Sequence, residues 1–113
     1  MRLFRPSAAD CCNVCHISPY SVTEGLLAGA SRLLAPEGVL CVYGPFMVDG
    51  AHTAESNAAF DERLRSQDAS WGVRCSTAIA GVADAKYGLE LVAREAMPAN
   101  NFVLVFRRKA RDA

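Results

Sequence analysis

Apolar residues in this chain gather into four strand-like runs and three helical stripes, and their succession predicts the order β-α-β-α-α-β-β. The first run, Cys11–Ile17, is continuous except for Asn13, the pattern of a strand covered on both faces in a parallel sheet. Ser21-Val22-Thr23-Glu24 has the form of a capping box, in which hydroxyl and carboxylate accept from each other's backbone amides. Leu26, Leu27, Ala30, Leu33 and Leu34 then make one helical stripe facing a sheet, and Pro36 and Gly38 end it. Val39–Tyr43 is a second buried strand. The connection between the two strands is long enough for a right-handed crossover between parallel neighbours.

Gly44–Gly50 reads as a loop punctuated by Gly44, Pro45 and Gly50. Thr53 is placed to cap a helix running to about Gln67, with Phe60 and Leu64 on one face. Trp71–Arg74 is a connector, with Trp71 set to anchor it against the core. Ser76–Tyr87 forms a third helix with Ile79, Val82 and Ala83 inward and Gly88 as its C-cap, although Gly81 weakens the pattern. Leu89–Met97 and Phe102–Arg107 are strand-like, and the short link Pro98–Asn101 forces them into an antiparallel hairpin. The fold class is therefore α/β, with a C-terminal antiparallel hairpin on an otherwise parallel sheet. Residues 1–9 form an irregular lead-in, 10–109 the domain and 110–113 a tail.

Length and charge narrow the classes. A chain of 113 residues supports one domain with a modest core. Twelve basic residues balance twelve acidic ones, so no general attraction to nucleic acid or an anionic membrane is expected. Arg107, Arg108, Lys109 and Arg111 read as a solvated tail. No stretch approaches the roughly 18 apolar residues of a membrane span. With no secretory signal in Met1–Ala9, a cytoplasmic location is expected, the nucleus remaining open.

Five cysteines, an odd number, suggest reduced thiols, most of them acting as small apolar core residues. Cys12-Asn13-Val14-Cys15-His16 matches a c-type haem attachment motif. Within a strand, however, positions 12 and 15 point to opposite faces, so haem is not expected. A zinc site is not expected either, because a second Cys or His pair at workable spacing is missing, Cys41 and Cys75 being isolated.

In a parallel sheet the loops after successive strands share one edge, where open α/β folds bind ligands. That groups His16–Tyr20, Gly44–Gly50 and Pro98–Asn101 around one cleft. His16 is the candidate base or orienting group, because an imidazole titrates near neutrality. Asn13, Ser18, Pro19, Tyr20, Tyr43, Gly44, Asn100 and Asn101 are the candidate cleft residues. Some have a structural alternative: hydrogen bonding at a strand end for His16, packing for Tyr43, and a tight turn for Asn100 and Asn101, since Asn tolerates positive φ. Asp49 and His52 are weaker acid–base candidates in the long loop.

Several of these segments occur together in one order: Asn13-x-x-His16-Ile-Ser-Pro19, Thr23-Glu-Gly-Leu26, Arg32-Leu-Leu-x-Pro-x-Gly38, Tyr43-Gly-Pro-Phe46, Ser56-Asn-x-x-Phe-Asp61, Trp71-Gly-Val-Arg74 and Met97-Pro-Ala-Asn-Asn101. The combination resembles the methyltransferase-like protein 26 family, within the class I S-adenosylmethionine-dependent methyltransferase superfamily. The resemblance covers about Asp10 to Lys109. It implies that Cys11–Ile17 and Val39–Tyr43 are strands 4 and 5 of a partial doubly wound, Rossmann-like methyltransferase sheet and that the final hairpin is strands 6 and 7. Strands 1–3 are missing. So is the Gly-rich loop that would lie beneath the cofactor, for the chain has no Gly-x-Gly. By the same resemblance Glu37 stands where a glycine or small residue is usual and Cys75 where an Asp opens the next helix. Asn13 and Ser18-Pro19 occupy the region where many such enzymes hold the nitrogen to be methylated, but the paired prolines of that motif are absent.

The expectation is a truncated methyltransferase-like protein, a shortened form or fragment that keeps the substrate side of the cleft. Full-length relatives would use S-adenosylmethionine; this chain alone would neither bind it nor turn over, and needs no metal. The alternative is a non-catalytic interaction module, self-associating or binding a partner through the open edge of strand 11–17.

Overall fold

The computed structural model describes residues 5–109. The elements run β1 (Ala8–Cys12), a 3-10 turn (Cys15–Ile17), α1 (Tyr20–Leu33), β2 (Val39–Gly44), β3 (Phe46–Met47), α2 (Glu55–Gln67), β4 (Arg74–Cys75), α3 (Ser76–Tyr87), β5 (Leu89–Met97), a second 3-10 turn (Pro98–Asn100) and β6 (Asn101–Arg108). The main sheet has the order β1-β2-β6-β5. β1 and β2 are parallel neighbours with α1 as their crossover, while β6 lies between β2 and β5 and runs antiparallel to both. A mixed α/β sheet with one parallel crossover and a closing antiparallel hairpin is thus the observed architecture. β3 and β4, two residues each, pair in parallel as a separate small ladder inside what reads as loop and connector.

The core takes Leu27 and Ala30 from α1, Leu34 just after it, and Ile79 and Ala83 from α3, packed on Leu40, Val42, Leu104 and Phe106 of the sheet. Alternation along β2 (inward Leu40, Val42 and Gly44; half-exposed Val39, Cys41 and Tyr43) shows that α1 and α3 cover one face. The opposite face is left half-exposed.

Several boundaries differ from the sequence expectation. The first strand is Ala8–Cys12, not Cys11–Ile17, so residues 8 and 9 of the supposed lead-in belong to the sheet. Asn13 ends the strand by taking φ +56°, its N–H donating to the Tyr43 carbonyl (2.9 Å). The apolar run continues because the following turn buries Cys15 and His16, not because it is a strand. The opposite-face geometry invoked for Cys12 and Cys15 therefore does not apply, since Cys15 lies in the turn. Of the cysteines, only Cys15 is a core residue; Cys12 is exposed and Cys11, Cys41 and Cys75 are intermediate.

α1 begins at Tyr20 behind Pro19, without a side-chain cap, so Ser21 lies inside the first turn and the capping box does not form. Pro19 itself is non-helical there (φ −57°, ψ 150°), and its missing N–H costs α1 no hydrogen bond. α2 starts at Glu55 behind Ala54, again without a side-chain cap, and Thr53 stands outside it. α3 and its cap match expectation, Gly88 taking φ +63°. Glu37 adopts φ +64°, the left-handed conformation that favours glycine.

Arg107 and Arg108 are not tail but the end of β6. Arg108 is buried and its guanidinium donates to the Leu34 carbonyl, while Lys109 pairs with Asp84. Arg111 and the 110–113 tail lie outside the described residues. No helix among the described residues is long and apolar enough to cross a membrane.

Candidate functional site

At the C-terminal ends of β1, β2 and β5 the chain assembles a cluster centred on His16. The turn that carries it is short because β1 must hand over to α1 within a few residues. Its imidazole is buried, with 5% of the residue exposed, and the ring lies against Phe60 of α2 at 5.6 Å between centroids and 60° between planes. Gly44, at the end of β2, leaves room on the other side: a methyl group there would lie 3.4 Å from Nδ1. Burial pushes the His16 pKa below its ordinary 6.5, and the Arg74 guanidinium acts in the same direction. Both effects favour the neutral ring.

The turn is held from the connector. The Gly72 N–H donates to the His16 carbonyl (3.0 Å). Arg74 donates to the carbonyls of Cys15 (3.3 Å), Ser18 (2.8 Å) and Ser70 (2.8 Å), and its guanidinium lies 5.5 Å from the Tyr20 ring centroid. The buried Asp61 carboxylate accepts from the Val73 N–H (2.8 Å) and from Arg65 Nε (3.1 Å) and sits 3.5 Å from His52 Nε2. Burial opposes the charge on Asp61, but the Val73 amide and Arg65 outweigh it and hold the carboxyl below its ordinary 3.8. Gly72 has to be small here, since a side chain would start 3.0 Å from Asp61 Oδ1.

The structure places the sequence candidates as follows. Asn13 closes β1 beside Tyr43, and both border the His16 turn. Ser18 caps that turn through Oγ to the Val14 carbonyl (2.7 Å), Pro19 precedes α1, and Tyr20 stacks under Arg74. Tyr43 is half-buried on the open face of the sheet. Asn100 takes φ +60°; its carbonyl accepts from Asn57 Nδ2 (3.2 Å) and its amide donates to Ser56 Oγ (3.3 Å). Asn101 bonds only locally, to the Pro98 carbonyl (3.3 Å). Asp49 bonds Thr77, away from His16. Cys75, in place of an acidic cap, accepts from the Gly50 N–H (3.3 Å); burial raises its pKa, but the amides of Ala78, Gly50 and Thr77 prevail and bring it below the ordinary thiol value.

Residue-by-residue reading missed Phe60, Asp61, Gly72 and Arg74 as parts of the site. The signal was present, because all four fall in the Ser-Asn-x-x-Phe-Asp and Trp-Gly-Val-Arg segments that carry the resemblance. Their purpose is legible only when α2 and the connector meet the turn.

A second feature is a groove of about 310 Å³ between β1 and α1, lined by Ala9, Gly25, Leu26, Gly29 and Leu33 among others, all apolar. It offers no hydrogen-bonding side chain.

Residues 6–108 match the family described as a protein of unknown function, DUF938. The chain belongs to the DUF938 family. Among solved structures, this DUF938 chain is similar to human N-acetylserotonin methyltransferase in complex with S-adenosylmethionine (TM-score 0.79, 13% identity, 96% of this chain and 31% of that one). It is similar also to an O-methyltransferase family 2 protein from Planctomyces limnophilus in complex with apigenin (TM-score 0.75, 17% identity, 93% and 31%). CalO1, a methyltransferase of calicheamicin biosynthesis in its S-adenosylhomocysteine-bound form, gives 0.74 at 13% identity, with 96% and 31% covered. The DUF938 chain thus has the fold of the C-terminal portion of these enzymes and spans about a third of their length.

Proposed function

We propose that this chain is the substrate-side portion of a class I S-adenosylmethionine-dependent methyltransferase and that it does not bind the cofactor by itself. The observation that carries this reading is the strand order β1-β2-β6-β5 with β6 reversed, ending in a cluster around a neutral His16 at the C-terminal strand edge. The resemblance to methyltransferase-like protein 26 supports it further. In this reading His16 accepts a proton from the methyl acceptor or orients it, while Tyr43, Asn13 and Asn100 border the acceptor. Methyl transfer from a sulfonium is a direct displacement, so alignment contributes more than acid–base chemistry. The lack of any Gly-x-Gly, the loop that lets backbone approach such a cofactor, supports the second half of the proposal.

A thermal melt of the purified chain with and without S-adenosylmethionine tests it. A ligand bound only to the native state raises the transition. The expected result is one cooperative transition at the same temperature in both samples. An upward shift with cofactor would show that this portion binds it unaided and overturn that part of the reading.

A further inference from the structure

His16 is nearly closed off: 5% of the residue is exposed, with Phe60 against the ring and Gly44 on its other side. An imidazole that is to meet a methyl acceptor has to be uncovered, and α2 is what covers it. This helix shares little with the main core. Among the described residues it buries one apolar side chain, Leu64, and neither Leu64 nor Phe60 belongs to the cluster that joins α1, α3 and the sheet. Segments with few buried apolar contacts open locally at low free energy.

The two halves of α2 are held differently. From its middle onward the helix is fixed. The Asp61 carboxylate accepts from the Val73 N–H (2.8 Å), lies 3.5 Å from His52 Nε2 and packs against Gly72, so helix and connector form one body. That body is anchored to the His16 turn through backbone groups. The Gly72 N–H donates to the His16 carbonyl (3.0 Å), and Arg74 donates to the carbonyls of Cys15 (3.3 Å) and Ser18 (2.8 Å). At the N-terminal end the hold is by side chains on the hairpin tip. Buried Asn57 donates from Nδ2 to the Asn100 carbonyl (3.2 Å), and Asn100 Nδ2 donates to Ser56 Oγ (3.3 Å). Two neutral hydrogen bonds have a modest net strength, so opening at this end is within thermal reach.

We propose that α2 is a lid on His16: it pivots on the connector at Gly72, the Asn57–Asn100 contact is its latch, and a methyl acceptor reaches the imidazole when the latch opens. This rests on the proposed function, which makes His16 the group that meets the acceptor. Opening carries Phe60 away from the ring while the backbone bonds at Gly72 and Arg74 keep the His16 turn in place. Closing returns the ring to a site that excludes water.

Diethylpyrocarbonate, which acylates neutral imidazole, reads access to His16 in the purified chain. Mass spectrometry separates His16 from His52, and amide hydrogen exchange of β6 reports global unfolding. The expected result is acylation of His16 well below the rate of His52 and well above that at which β6 opens. Asn57→Ala should raise the His16 rate on the order of tenfold, the effect of one lost buried hydrogen bond, with β6 exchange unchanged. Asn100→Gly removes the Ser56 contact at a position whose φ of +60° glycine adopts without strain, and should raise the rate several-fold. It keeps the test decisive should Asn57→Ala fold poorly. A His16 rate equal to that of His52 would mean that α2 does not cover the ring. A rate that follows β6 exchange, or one unmoved by both substitutions, would make α2 a fixed wall, and each of these results overturns the lid. The readout involves no cofactor, so a melt shifted by S-adenosylmethionine would count against the proposed function and not against the lid.

Discussion

His16 is enclosed by Phe60 and Gly44 and faces the field of Arg74, and both burial and that charge favour the neutral ring. The folded pKa is thus below 6.5 while the unfolded chain keeps the ordinary value. A depressed pKa stabilises the fold fully above 6.5, and that contribution is lost as the pH falls through 6.5 toward the folded value, because the unfolded state takes up a proton the native state resists. Calorimetric melts between about pH 7 and pH 5 should show stability declining with acidity, and His16→Asn should flatten that decline. Asp61 does not confuse the measurement, since its pKa is lowered from 3.8 and its contribution is lost only in more acid solution. At this scale the sequence singled out His16 but not its surroundings. Asn13, His16 and Tyr43 could be grouped by strand ends alone. Asp61 and Arg74 could not, because their partners are backbone amides and carbonyls brought from distant segments.

Among the elements, two glycines separate by what surrounds them. Gly29 sits in α1 with open space above it, so Gly29→Ala should stabilise the chain by up to about 1 kcal/mol, the helix-propensity difference. Gly38 closes the turn after α1, where a methyl group would meet the Ala35 carbonyl oxygen at 2.8 Å and that of Ser7 at 3.2 Å. Both neighbours are backbone, so Gly38→Ala should cost about 1–3 kcal/mol, the usual range for overpacking. Urea titrations of the two variants check both signs. Elements with strong end signals were legible: α3 stops at Gly88, and the hairpin turns at Pro98–Asn100. The first strand was misplaced because a buried turn and a buried strand leave the same apolar run. α2 begins one residue later than a Thr53 cap would set it, since the loop before it is held by Asp49, Thr77 and His52 contacts and not by a cap.

Across the whole molecule, protection should follow position in the sheet. β6 is paired on both sides and carries fully buried Leu104 and Phe106, whereas β1 is paired on one side and exposed. Amide hydrogen exchange should therefore be slowest in β6 and markedly faster in β1, because edge strands open locally at lower free energy. Equal protection of the two would mean that β1 is covered in the isolated chain. The sequence by itself determined the α/β class, the order of the major elements, the parallel crossover and the hairpin, all of which follow from short-range periodicity and turn chemistry. It also placed the chemistry-bearing residues at one edge. Only the tertiary structure decided that β6 lies between β2 and β5, that two residues each of β3 and β4 pair across the loop, and that α2 and the connector close over His16. Those features depend on contacts between segments tens of residues apart, whose free energy is realised only when the chain is folded and which leave no local pattern to read.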